Sequence, residues 1–201
     1  MNENLDIYFK PIVLVTGFGP FIKHPVNASW EAVKLLNKDE IEKKHNVELV
    51  QIELPVIYEN VDEFVPTIYN NIFVVPYLCL CDKRSLNIFS YLQLMLHVGV
   101  SSIAQHLTLE KQAHKKGYQR MDYFDQCPAN HTCPADGAVR LHTKLDVDQI
   151  CDDFNNSDLP EGVKAITSLD AACSVTQLIP LVDDKQEKVI TLNKKKCTEI
   201  P

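Results

Sequence analysis

The sequence predicts an α/β fold, a three-layer domain with a central mixed, mostly parallel sheet and helices on both faces. Three observations predict it. The β-branched run from Pro11 to Val15 has the composition of a strand buried on both faces. Apolar residues at helical spacing follow from Trp30 to Leu36, and a second strand-like run spans Val47 to Leu54. With Tyr58 to Tyr69 reading as another helix, the order strand, helix, strand, helix is that of a sheet with crossover helices.

The first strand stops at Thr16-Gly17-Phe18-Gly19-Pro20-Phe21, where two glycines and a proline force a loop. Asn27 or Ser29 is placed to cap the following helix. The second strand ends at Pro55. Residues Asn71 to Leu94 are apolar, carry cysteines and lack a clean period, and they read as an insertion. Leu96 to Val100 reads as a strand. Beyond Glu110 the chain is loop-like, with turn signals at Gly117, Cys127-Pro128, Cys133-Pro134 and Asp136-Gly137. Leu145 to Phe154 reads as a helix and Val163 to Ser168 as a strand. Val175 to Leu181 is apolar, and Asp183 to Lys196 is charged without an amphipathic face. Residues 1–201 thus read as a single domain, with 71–94 inserted and 172–201 a tail of different character. Sites in such sheets form where loops leave the carboxyl ends of strands, so Thr16 to Phe21 is the first site candidate.

Composition narrows the partners. The formal net charge is -7 with no basic stripe beyond Lys194-Lys195-Lys196, which argues against nucleic acid. The longest apolar stretch, Ile72 to Cys81, falls short of the roughly 20 residues a bilayer demands, so no membrane partner is expected. The polar start from Met1 to Asp6 and the seven cysteines without a framework of pairs make a cytoplasmic protein the default. Three sequons, at Asn27, Asn130 and Asn155, read as chance in that setting. Thr16-Gly17-Phe18-Gly19 lacks the glycine fingerprint and lysine of a phosphate loop.

Longer blocks carry more. Val13-Leu-Val-Thr-Gly-Phe-Gly-Pro-Phe21 with Val26-Asn-Ala-Ser-Trp-Glu-Ala-Val33 resembles the N-terminal signature of the pyroglutamyl-peptidase I family. The likeness continues through His97-Val-Gly-Val-Ser-Ser102, Leu107-Thr-Leu-Glu-Lys111, His114-Lys-Lys-Gly-Tyr118, Cys127-Pro128, Cys133 and Asp136-Gly137. It covers about Lys10 to Thr67 and His97 to Ala171. The resemblance implies a cysteine peptidase that removes N-terminal pyroglutamate from peptides without a cofactor. A thiol needs a base to become a thiolate at neutral pH, and the base needs an orienting partner. Glu110 matches the family's acidic catalytic residue, and Phe18 and Phe21 match the aromatic residues of its pyroglutamate pocket. On context alone, Glu110 would be a solvated surface residue and the two phenylalanines core. Cys127, His131 and Cys133 are close in sequence, but they lack a fourth ligand and match a loop without zinc, so no metal is expected.

The likeness breaks where the nucleophile is due. The family block has the form S-x-x-A-G-x-Y-L-C. Here Ser168-Leu-Asp-Ala171 begins it, Thr176 stands at the cysteine position, and Cys173 comes three residues early. The family's histidine, in a His-Val-Pro setting, has no counterpart, since the seven histidines end at His142. Two sharp junctions suggest altered splicing or gene prediction rather than drift. The expectations are a C-terminal part of the core missing, little or no turnover, and stability below that of full-length relatives. A cooperative, high-temperature melt of the purified chain would contradict the last. Three rival readings are a non-catalytic pseudo-peptidase, a functionless isoform that is degraded, and a different activity using Cys173 with Glu110 and an upstream histidine.

Overall fold

The structure, a computed structural model, describes residues 10–21, 25–64, 91–101, 104–134, 137–169 and 189–194. Its centre is a six-stranded sheet ordered β2-β1-β3-β8-β4-β7. The strands are β1 (Pro11–Phe18), β2 (Glu48–Leu54), β3 (Tyr91–Val100), β4 (Leu107–Glu110), β7 (Ala165–Ser168) and β8 (Val189–Lys194). β1, β2, β3 and β8 run parallel, while β4 and β7 are parallel to each other and antiparallel to β8. β5 (Gln112–His114) and β6 (Arg140–His142) form a separate antiparallel pair.

Helices lie on both faces, as the sequence predicts. Alternate residues of β1 supply opposite cores. Val15 packs with Leu49, Val33 of α1 (Ala28–Lys34) and Ile41 of α2 (Lys38–His45). Leu14 faces the other way, into a cluster with Met95, Leu54, Tyr118 and Cys133. Tyr58 and Val61 join that cluster from a helix, α3, described over residues 58–64. On the α1 side, α4 (Val147–Asn155) places Val147 and Cys151 against Leu109 and Ala165. Asn155 clips α4 to β7: its Nδ2 donates to the Ala165 carbonyl at 2.9 Å, and its Oδ1 accepts from the Ala165 N–H at 2.8 Å.

Three differences from the sequence reading have physical causes. β1 runs on through Thr16 and Gly17 to Phe18, because its ladder to β2 continues to Leu54 despite the glycine. α2 goes unread because its residues are almost all charged. It is held by its ends, with Asn37 accepting from the Glu40 N–H at 3.3 Å and Asn46 closing it in the left-handed region at φ 51°. In the charged tail, where the sequence shows no element, residues 189–194 form β8 at the centre of the sheet, paired with β3 and β4. β3 begins at Tyr91, inside the span read as an insertion; positions 71–90 lie outside the described residues. β7 is an edge strand, and it leaves Ile166 and Leu169 exposed.

The tightest point of the fold is where β1 meets α1. A Cβ on Gly17 would stand 2.7 Å from the Trp30 Cα and 2.9 Å from the Ser29 carbonyl oxygen. These are backbone atoms that cannot turn aside. Gly17→Ala is therefore expected to destabilise by about 1–3 kcal/mol, the usual range for overpacking, measured by denaturant unfolding. An unchanged midpoint would show that α1 shifts freely.

Candidate functional site

The loop leaving β1 is built by side chains of the α1 N-terminus. The Asn27 Nδ2 donates to the Gly19 carbonyl at 2.9 Å, while its Oδ1 accepts from the Ser29 N–H at 3.1 Å and from the Ser29 hydroxyl at 2.8 Å. Ser29 Oγ in turn accepts from the Phe18 N–H at 2.9 Å, and Gly19 N–H donates to the Leu54 carbonyl at 2.9 Å. Asn27 and Ser29 are both buried, so these bonds satisfy groups that would otherwise carry a desolvation penalty. Of the two capping candidates, Asn27 is the cap and Ser29 fixes the strand end.

Topology places this loop at a switch point. β1 connects to β2 on one side of it in the sheet, whereas β3, its other neighbour, connects to β4 in the opposite direction. Connections from the adjacent strands β1 and β3 therefore diverge, and open α/β sheets take ligands at such switch points. Phe18 is fully buried at the end of β1, and Phe21 packs partly buried against the same cluster. The structure thus brings these two predicted residues together.

Glu110 is elsewhere on the sheet but linked to the same strands. It is the last residue of β4 and only 6% exposed, unlike the solvated residue its context alone suggests. The strand register aligns Thr16 with His97, His97 with Thr191, Thr191 with Glu110, and Glu110 with Ser168. Thr16, His97, Glu110 and Ser168 therefore form a polar row on the α3 face of the sheet, in register across the backbone of β8. Thr16 and His97 are fully buried, with His97 Nδ1 at 2.6 Å from Thr16 Oγ1. Burial pushes the His97 pKa down to about 3, so the ring is neutral near pH 7. The sequence reading gives His97 no role in the site. The signal for the row was the polar residue two positions beyond a core residue on each strand, Thr16 after Leu14 and His97 after Met95.

Ser168 is where the nucleophile block begins, and the carbonyl of Leu169 receives the Gln112 side-chain amide, with His114 Nε2 3.4 Å away. Thr176 and Cys173 lie outside the described residues. The excursion from β5 to β6 docks on the α3 layer. Buried Asp122 accepts from the N–H groups of Tyr58, Phe124 and Gln126, and the Tyr58 hydroxyl donates to the Arg120 carbonyl at 2.8 Å. Burial also pushes the pKa of Asp62 on α3 up to about 6. Among the described residues, no group of three His, Cys, Asp or Glu is placed to hold a metal, and no helix is long and apolar enough to cross a membrane.

The sequence profile described as pyroglutamyl peptidase matches residues 11–80. Human pyroglutamyl-peptidase 1 is 36% identical over 167 residues, which are 83% of this chain and 65% of that protein; the rat and mouse proteins give the same values. The chain belongs to the pyroglutamyl peptidase family. It spans just under two thirds of the length of these relatives. The family fold is seen directly in pyroglutamyl peptidase I of Bacillus amyloliquefaciens. There the TM-score is 0.69 at 19% identity, covering 94% of this chain and 81% of that one. Pyrrolidone carboxyl peptidase of Thermus thermophilus gives a TM-score of 0.68 at 20% identity, with coverages of 90% and 83%. β8, at residues 189–194, falls within the stretch read as a tail and takes part in the sheet.

His97 and Asp62 act on stability in opposite directions. His97 titrates at about 3 when folded against 6.5 when unfolded. The unfolded chain therefore takes up the proton first, and stability falls as pH drops from about 6.5 toward 3. Asp62, raised from 3.8 to about 6, is protonated first in the folded chain, so stability rises as pH falls through that window. The fully buried His97 dominates, since Asp62 is half in solvent. Urea midpoints are expected to fall below pH 6, and His97→Gln should flatten that slope. A slope that His97→Gln leaves unchanged would place the titration elsewhere.

Proposed function

We propose that this chain recognises peptides carrying an N-terminal pyroglutamyl residue, in the manner of a cytoplasmic thiol peptidase of its family, and that the 201-residue chain turns them over little or not at all. The observation that carries recognition is the loop from Thr16 to Phe21. Side chains of the matching block, Asn27 and Ser29, shape it, and the Leu54 carbonyl holds the Gly19 N–H. Phe21, half-buried over the cluster that holds Phe18, offers an apolar wall at the β1–β3 crevice. A flat, uncharged lactam suits an apolar slot with a few backbone partners. In this reading Phe21 meets the ring and Phe18 backs it from the core.

Weak turnover is argued from Thr176, which stands where the family block has its cysteine. A threonine hydroxyl is a far poorer nucleophile than a thiolate without a strong base beside it. Glu110 keeps the position of the acidic member of the catalytic set. Losing the nucleophile of such a set typically costs several orders of magnitude in kcat, with positioning and electrostatics left over. The same observation favours a binding or regulatory role over a catalytic one.

The test is hydrolysis of a fluorogenic pyroglutamyl amide by the purified chain, with and without iodoacetamide. The expected turnover is at least about 10⁴-fold below the roughly 1–10³ s⁻¹ of ordinary enzymes, and insensitive to alkylation. Phe21→Ala is expected to weaken binding of a pyroglutamyl peptide about 5–30-fold, the loss of roughly 1–2 kcal/mol of apolar contact. Rapid hydrolysis abolished by Cys173→Ser would overturn the reading and make Cys173 the nucleophile.

A further inference from the structure

The excursion between β5 and β6 leaves three large apolar side chains in solvent within four consecutive positions. Met121 is 62% exposed, Tyr123 49% and Phe124 61%. Single apolar residues are ordinary on a protein surface, whereas a contiguous group of them marks a place where something binds. The backbone beneath the group is fixed. Buried Asp122 accepts from the N–H groups of Tyr58, Phe124 and Gln126 at 3.1, 2.8 and 3.0 Å, and its own N–H donates to the Gln126 carbonyl at 2.9 Å. The Tyr123 N–H donates to the Val56 carbonyl at 2.9 Å, and Asp125 turns the chain in the left-handed region at φ 56°. The rings of Tyr123 and Phe124 meet edge to face, with centroids 5.3 Å apart and planes at 89°. A ring pair on a braced loop loses little conformational freedom when a ligand settles on it.

The place of this pair selects its occupant. Val56, which holds Tyr123, belongs to the same cluster as Phe18 and Tyr118, and Phe21 packs against that cluster. Leu54, two residues before Val56, holds the Gly19 N–H at 2.9 Å. Two residues of chain span at most about 7 Å, so the Gly19 and Tyr123 nitrogens lie within roughly 15 Å of each other. A peptide with its pyroglutamyl ring on Phe21 covers a distance of that order with its second residue and that residue's side chain. Such a peptide has no N-terminal ammonium. Its first two residues can therefore lie on apolar surface without stripping water from a charge.

We propose that Tyr123 and Phe124 receive the side chain of the residue that follows pyroglutamate, and that they favour an aromatic or large aliphatic one. The inference rests on the proposed function for the placing of the pyroglutamyl ring at Phe21. The end of β1 then reads the ring, and the excursion reads its neighbour.

The experiment is isothermal titration of the full chain with pyroglutamyl-phenylalanine amide and with pyroglutamyl-glycine amide. The phenylalanine peptide is expected to bind about 5–15-fold tighter, the order that an aromatic contact contributes. Replacing both rings, Tyr123→Ser with Phe124→Ser, is expected to bring that ratio to about 2 or less, whereas Phe21→Ala weakens both peptides and keeps the ratio. Should the double variant not fold, NOEs in the native chain from the peptide phenylalanine ring to Tyr123 and Phe124 report the same contact. Equal affinity for the two peptides, a ratio that the double variant leaves unchanged, or NOEs confined to other residues would overturn the inference and leave recognition of the ring standing. A dimer of the native chain that the double variant dissociates would give the pair to a second copy and overturn it likewise. Binding of neither peptide would overturn the inference together with the proposed function.

Discussion

The close approach of Gly17 to the backbone of Trp30 is the contact on which the rest of the site depends. It lets β1 run its full length against the start of α1, which brings Asn27 and Ser29 within reach of Phe18 and Gly19. Those bonds fix where the strand ends and therefore where Phe21 emerges. With a side chain at position 17 the helix would stand off and the strand end would lose its buried partners. A short segment of sequence thus carries both the packing of two layers and the shape of the loop between them.

The polar row shows the opposite economy. Thr16, His97 and Glu110 occupy buried positions where aliphatic residues would pack without a desolvation penalty. The hydrogen bond between Thr16 and His97 offsets part of that penalty. The row spans the parallel half of the sheet and the antiparallel pair β4–β7, so it joins the loop of the first strand to the strand that leads into the nucleophile block. β8 is the link between the two halves. Its position in the sheet explains how the matching N-terminal and central blocks assemble around a tail whose own sequence is unlike theirs.

Much of this was legible in the residues. The strand at Pro11, the helix after Asn27, the strand to Leu54 and the α4–β7 unit all follow from periodicity and caps, because each buries one apolar face locally. The family blocks brought Phe18 and Phe21 to one place. What could not be read was non-local. α2 lacks an apolar stripe and stands on its caps and on Ile41. β8 is a short run, Val189-Ile-Thr-Leu-Asn193, beside a lysine cluster, and it becomes a strand only because two neighbours supply its hydrogen bonds. The partnership of Thr16 and His97 spans 81 positions, and no spacing rule reaches that far.

The proposed recognition of pyroglutamyl peptides falls to the end of β1. The most direct measurement is a titration of the ¹⁵N-labelled chain with a pyroglutamyl peptide, and with the same peptide beginning in uncyclised glutamine. Saturable shifts are expected at the amides of Gly17, Phe18, Gly19 and Phe21 with the pyroglutamyl peptide, and much weaker ones with the glutamine peptide. Equal response to both peptides, or shifts confined to residues away from the β1–β3 crevice, would contradict it.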